Sequence, residues 1–446
     1  MGRAVRGNWS VALALGLAVL AQPALAKPAP AKAAPAAKIA PNPVPPELAA
    51  VLASKRFAAA REALRLDHPR MVEQLVTLTE VPAPPFGEAE RGSTFAALLR
   101  GSGLAEVTTD AVGNVIAVRK GTDPKAAPLL VAAHLDTVFP AGTDVKVKRE
   151  GTRLMAPGIG DDTRGLAVML SIIRALDKAG IRTKRDVVFI GNVGEEGPGD
   201  LRGTRHLFAQ DARAKAAAGF ITIDGAGQGL ITTQGVGSRR YRLTFNGPGG
   251  HSWGKFGIVN PMAALARTVT GLYAVPVPQD PRTTYSASVV GGGTSVNTIP
   301  NEVFLEVDIR SVAPAEVDRV DAALKEIAAR AVDEENAARD TSSGKVSVTF
   351  KPIGDRPAGS TPDDSALVRI AFAAARAQGI ESKAGSQSTD ANVPMSLGIP
   401  AIAIGSGGSG GDAHAPSEWI DVAEGPSLAG MTAAMATILG AAGIER

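Results

Sequence analysis

Histidine is scarce in this chain, 5 in 446 residues, and two of the five sit where a ligand could reach them. His134 lies in Ala133-His134-Leu135-Asp136, directly after an apolar run, and His414 lies in the glycine-rich stretch Gly410-Gly411-Asp412-Ala413-His414-Ala415-Pro416. The chain has no cysteine, so any bound metal must be held by imidazole and carboxylate alone. Three acidic sites supply the carboxylates: Asp161-Asp162 before Gly165 and an apolar helix, Glu195-Glu196 between Gly194 and Gly197, and Asp224 before Gly225. Adjacent acids raise one another's pKa. A cation that takes one of them as ligand relieves the repulsion and leaves the other free to move protons.

Each site alone also has a plainer reading. His134 could be a surface residue beside a solvated Asp136, and Asp161-Asp162 could cap a helix. Glu195-Glu196 could form an acidic loop tip, and Asp224 could serve a turn. Asp136 could hold the second nitrogen of His134, as imidazole ligands require. Two patterns point to other chemistry but lack the helix they need: residues 407–411 fit Gly-x-Ser-x-Gly, and residues 405–410 fit a dinucleotide fingerprint. His68 and His206 carry no motif and read as structural or surface residues.

The elements that must position these residues alternate between strand and helix. Residues 128–133, 186–190 and 219–223 are short apolar runs that read as buried strands, and residues 165–179 are apolar at helical spacing. Continuous apolar strands separated by helices predict an α/β fold with a mainly parallel sheet covered on both faces. His134, Glu195-Glu196 and Asp224 then fall at or beyond strand ends, where open α/β sheets bind ligands. Helical periodicity is expected through 48–66 and 69–78. Residues 236–351 have another texture: alternating strands at 240–245, 284–290, 303–310 and 346–350, with helices at 260–273 and 315–338. That order, β-α-β-β-α-β, predicts an inserted ferredoxin-like domain. Helices at 365–378 and 424–439 and a strand at 399–404 resume the first pattern, giving a main domain of 47–235 and 352–446.

Residues 1–26 read as a secretory signal peptide, with Arg3 and Arg6, an apolar stretch over 11–20 and Ala24-Leu25-Ala26 as cleavage site. The apolar stretch is about half the ~20 residues a membrane span needs, which favours a cleaved leader over the alternative of an uncleaved N-terminal anchor. Residues 27–46, rich in Ala, Pro and Lys, read as a spacer. The expectation is an exported protein, periplasmic or secreted. Cleavage removes two arginines and no acid, leaving 45 basic against 44 acidic side chains, net +1. With aromatics at 4%, neither charge nor stacking surface favours nucleic acid as a partner.

Taken together and in this order, the motifs resemble those of the two-zinc aminoacylase and carboxypeptidase superfamily, which includes glutamate carboxypeptidase, peptidase T, acetylornithine deacetylase and succinyl-diaminopimelate desuccinylase. The carrying residues are Ala133–Val138, Pro157–Gly165, Gly194-Glu195-Glu196-Gly197, Asp224 and the late Asp412–Pro416, and the likeness runs from about residue 70 to the C-terminus. The resemblance implies a phosphorylase/hydrolase-like catalytic domain and an inserted lid and dimerisation domain. It implies two Zn2+ ions, replaceable by Co2+ or Mn2+, with Asp161 bridging, His134 and Asp224 on one ion, Glu196 and His414 on the other, and a cis Asp161–Asp162 bond. Asp136 would orient His134, and Glu195 would be the general base. His251, Asn297 and Arg310 match residues that meet substrate, His251 across a dimer interface; Arg310 could equally pair with Asp308 or Glu306. Ser388 stands where relatives carry glycine. The implied activity is hydrolysis of a peptide or N-acyl amide bond in a short peptide or acyl amino acid by a homodimer, leaving open aminopeptidase, carboxypeptidase or deacylase specificity. The alternative is a non-catalytic, metal-dependent peptide or amino-acid binding protein on the same scaffold.

Overall fold

A computed structural model describes residues 43–227 and 229–445. The signal peptide expected at 1–26 and most of the spacer expected at 27–46 lie outside the described residues.

The largest sheet is built around the apolar runs. Leu129–His134 lies between Val187–Asn192 and Gly219–Ile223, parallel to both, and Ala401–Ile404 adds a further parallel neighbour to Gly219–Ile223. On one side Val115–Arg119 lies antiparallel to Val187–Asn192 and pairs in turn with Val107–Thr109, while Leu230–Gly235 follows Ala401–Ile404 antiparallel on the other. The central strands are buried along their whole length, which explains why they read as unbroken apolar sequence rather than as alternation. Helices Lys55–Thr79, Arg164–Lys178 and Glu424–Ala442 supply much of the main core through Leu75, Leu166, Ile172, Met431 and Met435. Glu424–Ala442 is long and apolar enough to cross a membrane, but 67% of its most apolar window is buried inside the fold. Its hydropathy is thus that of a core helix.

One helix differs from expectation. Lys55–Thr79 runs unbroken through Pro69, and the break falls earlier, at Ser54, whose hydroxyl caps the backbone N–H of Arg56 at 3.2 Å. The buried positions Leu64, His68, Met71, Val72 and Leu75 keep one stripe on the core across the proline. Tertiary burial outweighs the local preference to stop there.

After Leu230–Gly235 the chain enters a second, four-stranded antiparallel sheet. Its order is Thr283–Gly292, Glu302–Ser311, Gly237–Asn246, Ser347–Arg356, covered by helices Pro261–Tyr273 and Pro314–Ala338. This sheet has its own apolar core, with Leu243, Phe245, Leu305, Val320 and Leu324 at its centre. The last strand runs six residues past the expected end at 350, through a register shift between Pro352 and Gly354. Gly359–Ser360 then pairs with Gly235 and Gln234, so the chain returns beside its point of departure.

Candidate metal centre

His134 is the last residue of its strand and is buried. Its Nδ1 meets the backbone carbonyl of Asp136 at 3.0 Å, and its Nε2 lies 2.9 Å from Oδ1 of Asp161. A proton on Nδ1, donated to that carbonyl, leaves the Nε2 lone pair facing the cluster. The other oxygen of Asp161, Oδ2, lies 3.1 Å from Nε2 of His414, which is also 3.0 Å from Oε1 of Glu196. One ligand atom each from His134, Asp161 and Asp224 lie within 4.8 Å of one another, as do those of Asp161, Glu196 and His414. Asp161 therefore belongs to both groups. A nitrogen-and-oxygen donor set of this kind fits a divalent cation in each.

Backbone hydrogen bonds fix the loops that carry these residues. The Asp161–Asp162 peptide is cis. Glu418 accepts the N–H groups of Gly158, Gly160 and Asp161 at 2.7, 2.7 and 2.9 Å, clamping that loop from a point four residues beyond His414. Asp162 is buried and accepts from the backbone N–H of His134 and of Gly225 at 3.2 and 3.3 Å, tying three loops together. The expected role of Asp136 needs correction. Its carboxylate stands 3.7 Å from Nδ1 of His134 and instead accepts the N–H groups of Glu195 and Glu196 at 3.0 and 2.8 Å. The imidazole is held by the Asp136 carbonyl, because the chain bends after the strand and turns the side chain toward the next loop.

Arg356 was not singled out from sequence. It is buried at the end of the last strand of the second sheet, with Nη1 3.1 Å from Oε1 of Glu195 and 3.1 Å from Oγ of Ser388, and Nη2 donating to the Glu195 carbonyl. Its only sequence signal is an arginine directly before Pro357 where the chain leaves the second sheet. Asp390, also buried, accepts from Asn192 and Thr204 at 2.6 and 2.5 Å.

The three residues expected to meet substrate are not gathered here. His251 sits on a small antiparallel pair, Gly250–His251 with Thr298–Ile299, and Asn297 lies in the turn just before the second strand, its carbonyl accepting the N–H of Ser252 at 2.9 Å; Nδ1 of His251 accepts the N–H groups of Trp253 and Gly254 at 3.2 Å each. Arg310 is 2.7 Å from Asp308 on its own strand, the ion pair that was its alternative reading. None of the three makes a hydrogen bond or ion pair with the clustered residues.

Electrostatically the cluster is crowded with acid. Burial pushes Asp224 up to about 7, helped by the charge of Asp161, and pushes Asp136 up to about 6 against the pull of His134. Burial also raises Glu195 well above the usual carboxylate range, despite Arg356. For Asp161 burial acts upward too, but hydrogen bonds from His134 and His414 outweigh it and hold the carboxyl low. Hydrogen bonds with Asp161 and Glu196 lift His414 to about 10. For His134 burial opposes the charge, yet Asp161 and its acidic neighbours raise it well above the ordinary imidazole value.

Comparison with known proteins decides the family. The family described as Peptidase family M20/M25/M40 matches residues 130–438, well over half the chain. The chain belongs to that family. It is similar to carboxypeptidase G2 of Pseudomonas sp. (strain RS-16), at 25% identity over 403 residues that cover 87% of this chain and 94% of the relative. Among solved structures it resembles aminopeptidase PepT of Bacillus cereus, with TM-score 0.67 and 23% identity over 83% of this chain and 98% of that one. It also resembles the Bacillus subtilis YXEP protein, described as a dinuclear metal binding peptidase from the M20 family, with TM-score 0.61 and 19% identity over 83% of this chain and 98% of that one. As an M20 family member with a candidate metal site, the protein is a metallohydrolase of the peptidase and amidohydrolase kind.

Metal and proton must compete for this site. Without metal, Asp161 and Glu196 lift His414 to about 10, the acidic neighbours of His134 raise it above the ordinary imidazole value, and burial pushes Asp224 up to about 7, so each favours its protonated form more than a free side chain does. Ligation requires unprotonated donors. Metal binding at pH 7 is therefore expected to release protons, and affinity should rise with pH by about tenfold per unit for each proton displaced. Calorimetric titration in two buffers of different ionisation heat measures this directly. Affinity that stays flat between pH 6 and 9 would contradict the assigned ligands.

Proposed function

We propose that the protein hydrolyses the amide bond of a short peptide or N-acyl amino acid with two divalent cations, zinc foremost, and Glu195 as general base. The observation that carries this reading is Asp161, whose two carboxylate oxygens each face a different imidazole, at 2.9 and 3.1 Å. Such an acid joins two ligand groups into one. His134, Asp161 and Asp224 would hold one cation, and Asp161, Glu196 and His414 the other. Bound there, the pair would supply Lewis acidity and water acidified into the neutral range.

The chain's own groups handle the proton. Glu195 accepts it on a carboxylate oxygen as water attacks the scissile carbonyl, then returns it to the leaving nitrogen as the C–N bond breaks. Arg356 engages Oε1 of Glu195 and leaves Oε2 without a hydrogen bond among the described residues. Oε2 is thus the oxygen available for the transfer. The N–H groups donated to Asp136 fix the backbone of Glu195 and Glu196 together, so base and ligand keep one spacing. The names of PepT, carboxypeptidase G2 and YXEP all accord with peptide hydrolysis, though the first two act from opposite ends of a peptide.

The same reading takes the second sheet as an inserted lid. Its outer strand, Thr283–Gly292, exposes Val289 and Val290 at the edge and would pair with a second copy, carrying His251 toward the partner's site. Asn297 and Arg310 would grip a substrate carboxylate once the lid approaches it. In this reading the leader at 1–26 directs export. A sedimentation mass of one chain would remove the dimer and with it the cross-subunit role of His251.

Replacing Glu195 by Gln should lower kcat by about 10²–10⁴-fold while both metals stay bound. Near-normal hydrolysis by that variant would refute the assigned base. If metal-loaded wild-type protein binds but turns over none of a broad set of dipeptides and acyl amino acids, the non-catalytic alternative gains. Arg356→Met should lower kcat on the order of 10²-fold through misplacement of the base, with little change in metal content; an unchanged kcat would show that the Glu195 contact is incidental.

A further inference from the structure

Resting on the hydrolase reading, we infer that the cavity beside Asp224 is the subsite for an uncharged, apolar group of the substrate, an aromatic or branched aliphatic group next to the scissile amide. The cavity measures about 490 Å³ and is bordered by Asp161 and Asp224, so an occupant would lie against the ligand cluster. That volume falls in the roughly 300–1,000 Å³ range of small-molecule sites.

Its lining is largely bare backbone. Gly225 and Gly227 follow Asp224 with φ of +74° and +92°, and a Cβ on either would meet nothing within 4 Å. The loop after Asp224 therefore borders open space and puts no side chain there at those positions. At the far rim a Cβ on Gly410 would come within 2.7 Å of the Ala226 Cβ, so the two loops close against each other only because glycine is present. Leu230, Ile404 and Trp419 provide apolar surface between them.

The polar groups define what would be rejected. The acids at the cavity are Asp161 and Asp224, which belong to the cluster, and Glu418, whose oxygens already accept three backbone N–H groups. No lysine or arginine lines the cavity among the described residues; Arg153 stacks on the Trp419 ring at 4.0 Å but is not part of the lining. Away from the cations that Asp161 and Asp224 would hold, a substrate carboxylate in the body of the cavity would be desolvated with no lysine or arginine of the lining to pair it. Among the described lining residues, Gln387 is a neutral polar side chain at the rim. Its Oε1 accepts from Thr232 Oγ1 at 2.5 Å, which leaves its amide NH2 to donate to a carbonyl or hydroxyl of the occupant.

The test uses metal-loaded full-length protein and dipeptides carrying Phe, Leu or Glu on each side of the scissile bond in turn. It reads kcat/KM for the wild type and, separately, Kd by calorimetry for the Glu195→Gln variant. At one of the two positions Phe or Leu should exceed Glu by at least about 10-fold in both readouts. Gln387→Arg, an exposed change that installs a cation at the rim, should shrink that ratio at the same position and leave the other position unaltered. Glu equal to or better than Phe at both positions overturns the inference, as does a Gln387→Arg variant that leaves the ratio unmoved. Discrimination in Kd without wild-type turnover would keep the subsite and discard the hydrolase; absence of binding by any dipeptide would discard the subsite.

Discussion

The burial of many carboxylates in one place is the constraint on which this structure turns. Asp136, Asp161, Asp162, Glu195, Glu196, Asp224, Asp390 and Glu418 lie on converging loops, and most are almost wholly buried. Against them the chain sets His134, His414, Arg356 and the buried Arg91, whose guanidinium donates to the carbonyls of Val81 and Leu135. Those cations do not balance the acids at full ionisation, and burial first, with repulsion added to it, raises Asp136, Asp162, Glu195 and Asp224 above the ordinary carboxylate range. Buried charge left unpaired is costly. A site with this imbalance is completed by positive charge from outside the chain.

The acids divide into two kinds, and the division explains how the cluster survives folding. Asp136, Asp162 and Glu418 spend their oxygens on backbone N–H groups of the loops that carry the other residues. They are structural anchors that satisfy donors which water cannot reach. Asp161, Glu196 and Asp224 keep oxygens turned toward one another and toward the imidazoles. Glu195 stands between the two kinds: its backbone is anchored by Asp136, one carboxylate oxygen is held by Arg356, and the other carries no such bond. Through Arg356 the second sheet reaches Glu195, so the two sheets share one polar network.

Much of this was legible in the sequence, for identifiable reasons. The central strands announce themselves because strands buried on both faces carry unbroken apolar runs, and the reactive residues follow directly at their ends, as with His134 and Asp224. The helix through Pro69 was read as two because a proline's local cost is visible in sequence while the burial that outweighs it is not. Arg356 escaped because Pro352 and Gly354 look like the end of a strand; the register shift that lets the strand continue exists only in the pairing. For Asp136 the two-residue spacing points to the right neighbour, but only the turn after the strand decides that its backbone carbonyl rather than its carboxylate meets Nδ1 of His134. Glu418 offered only a carboxylate four residues after His414, with nothing in the sequence to name the N–H groups it serves.

The central claim is that one carboxylate serves two cations, and metal analysis of unchelated protein beside an Asp161→Ala variant tests it most directly. The account predicts two divalent ions per wild-type chain and loss of both, or of tight binding at both, when Asp161 is removed, with the fold retained by circular dichroism. Two ions still tightly bound in the folded variant, or none in the wild type even after metal is supplied, would contradict it.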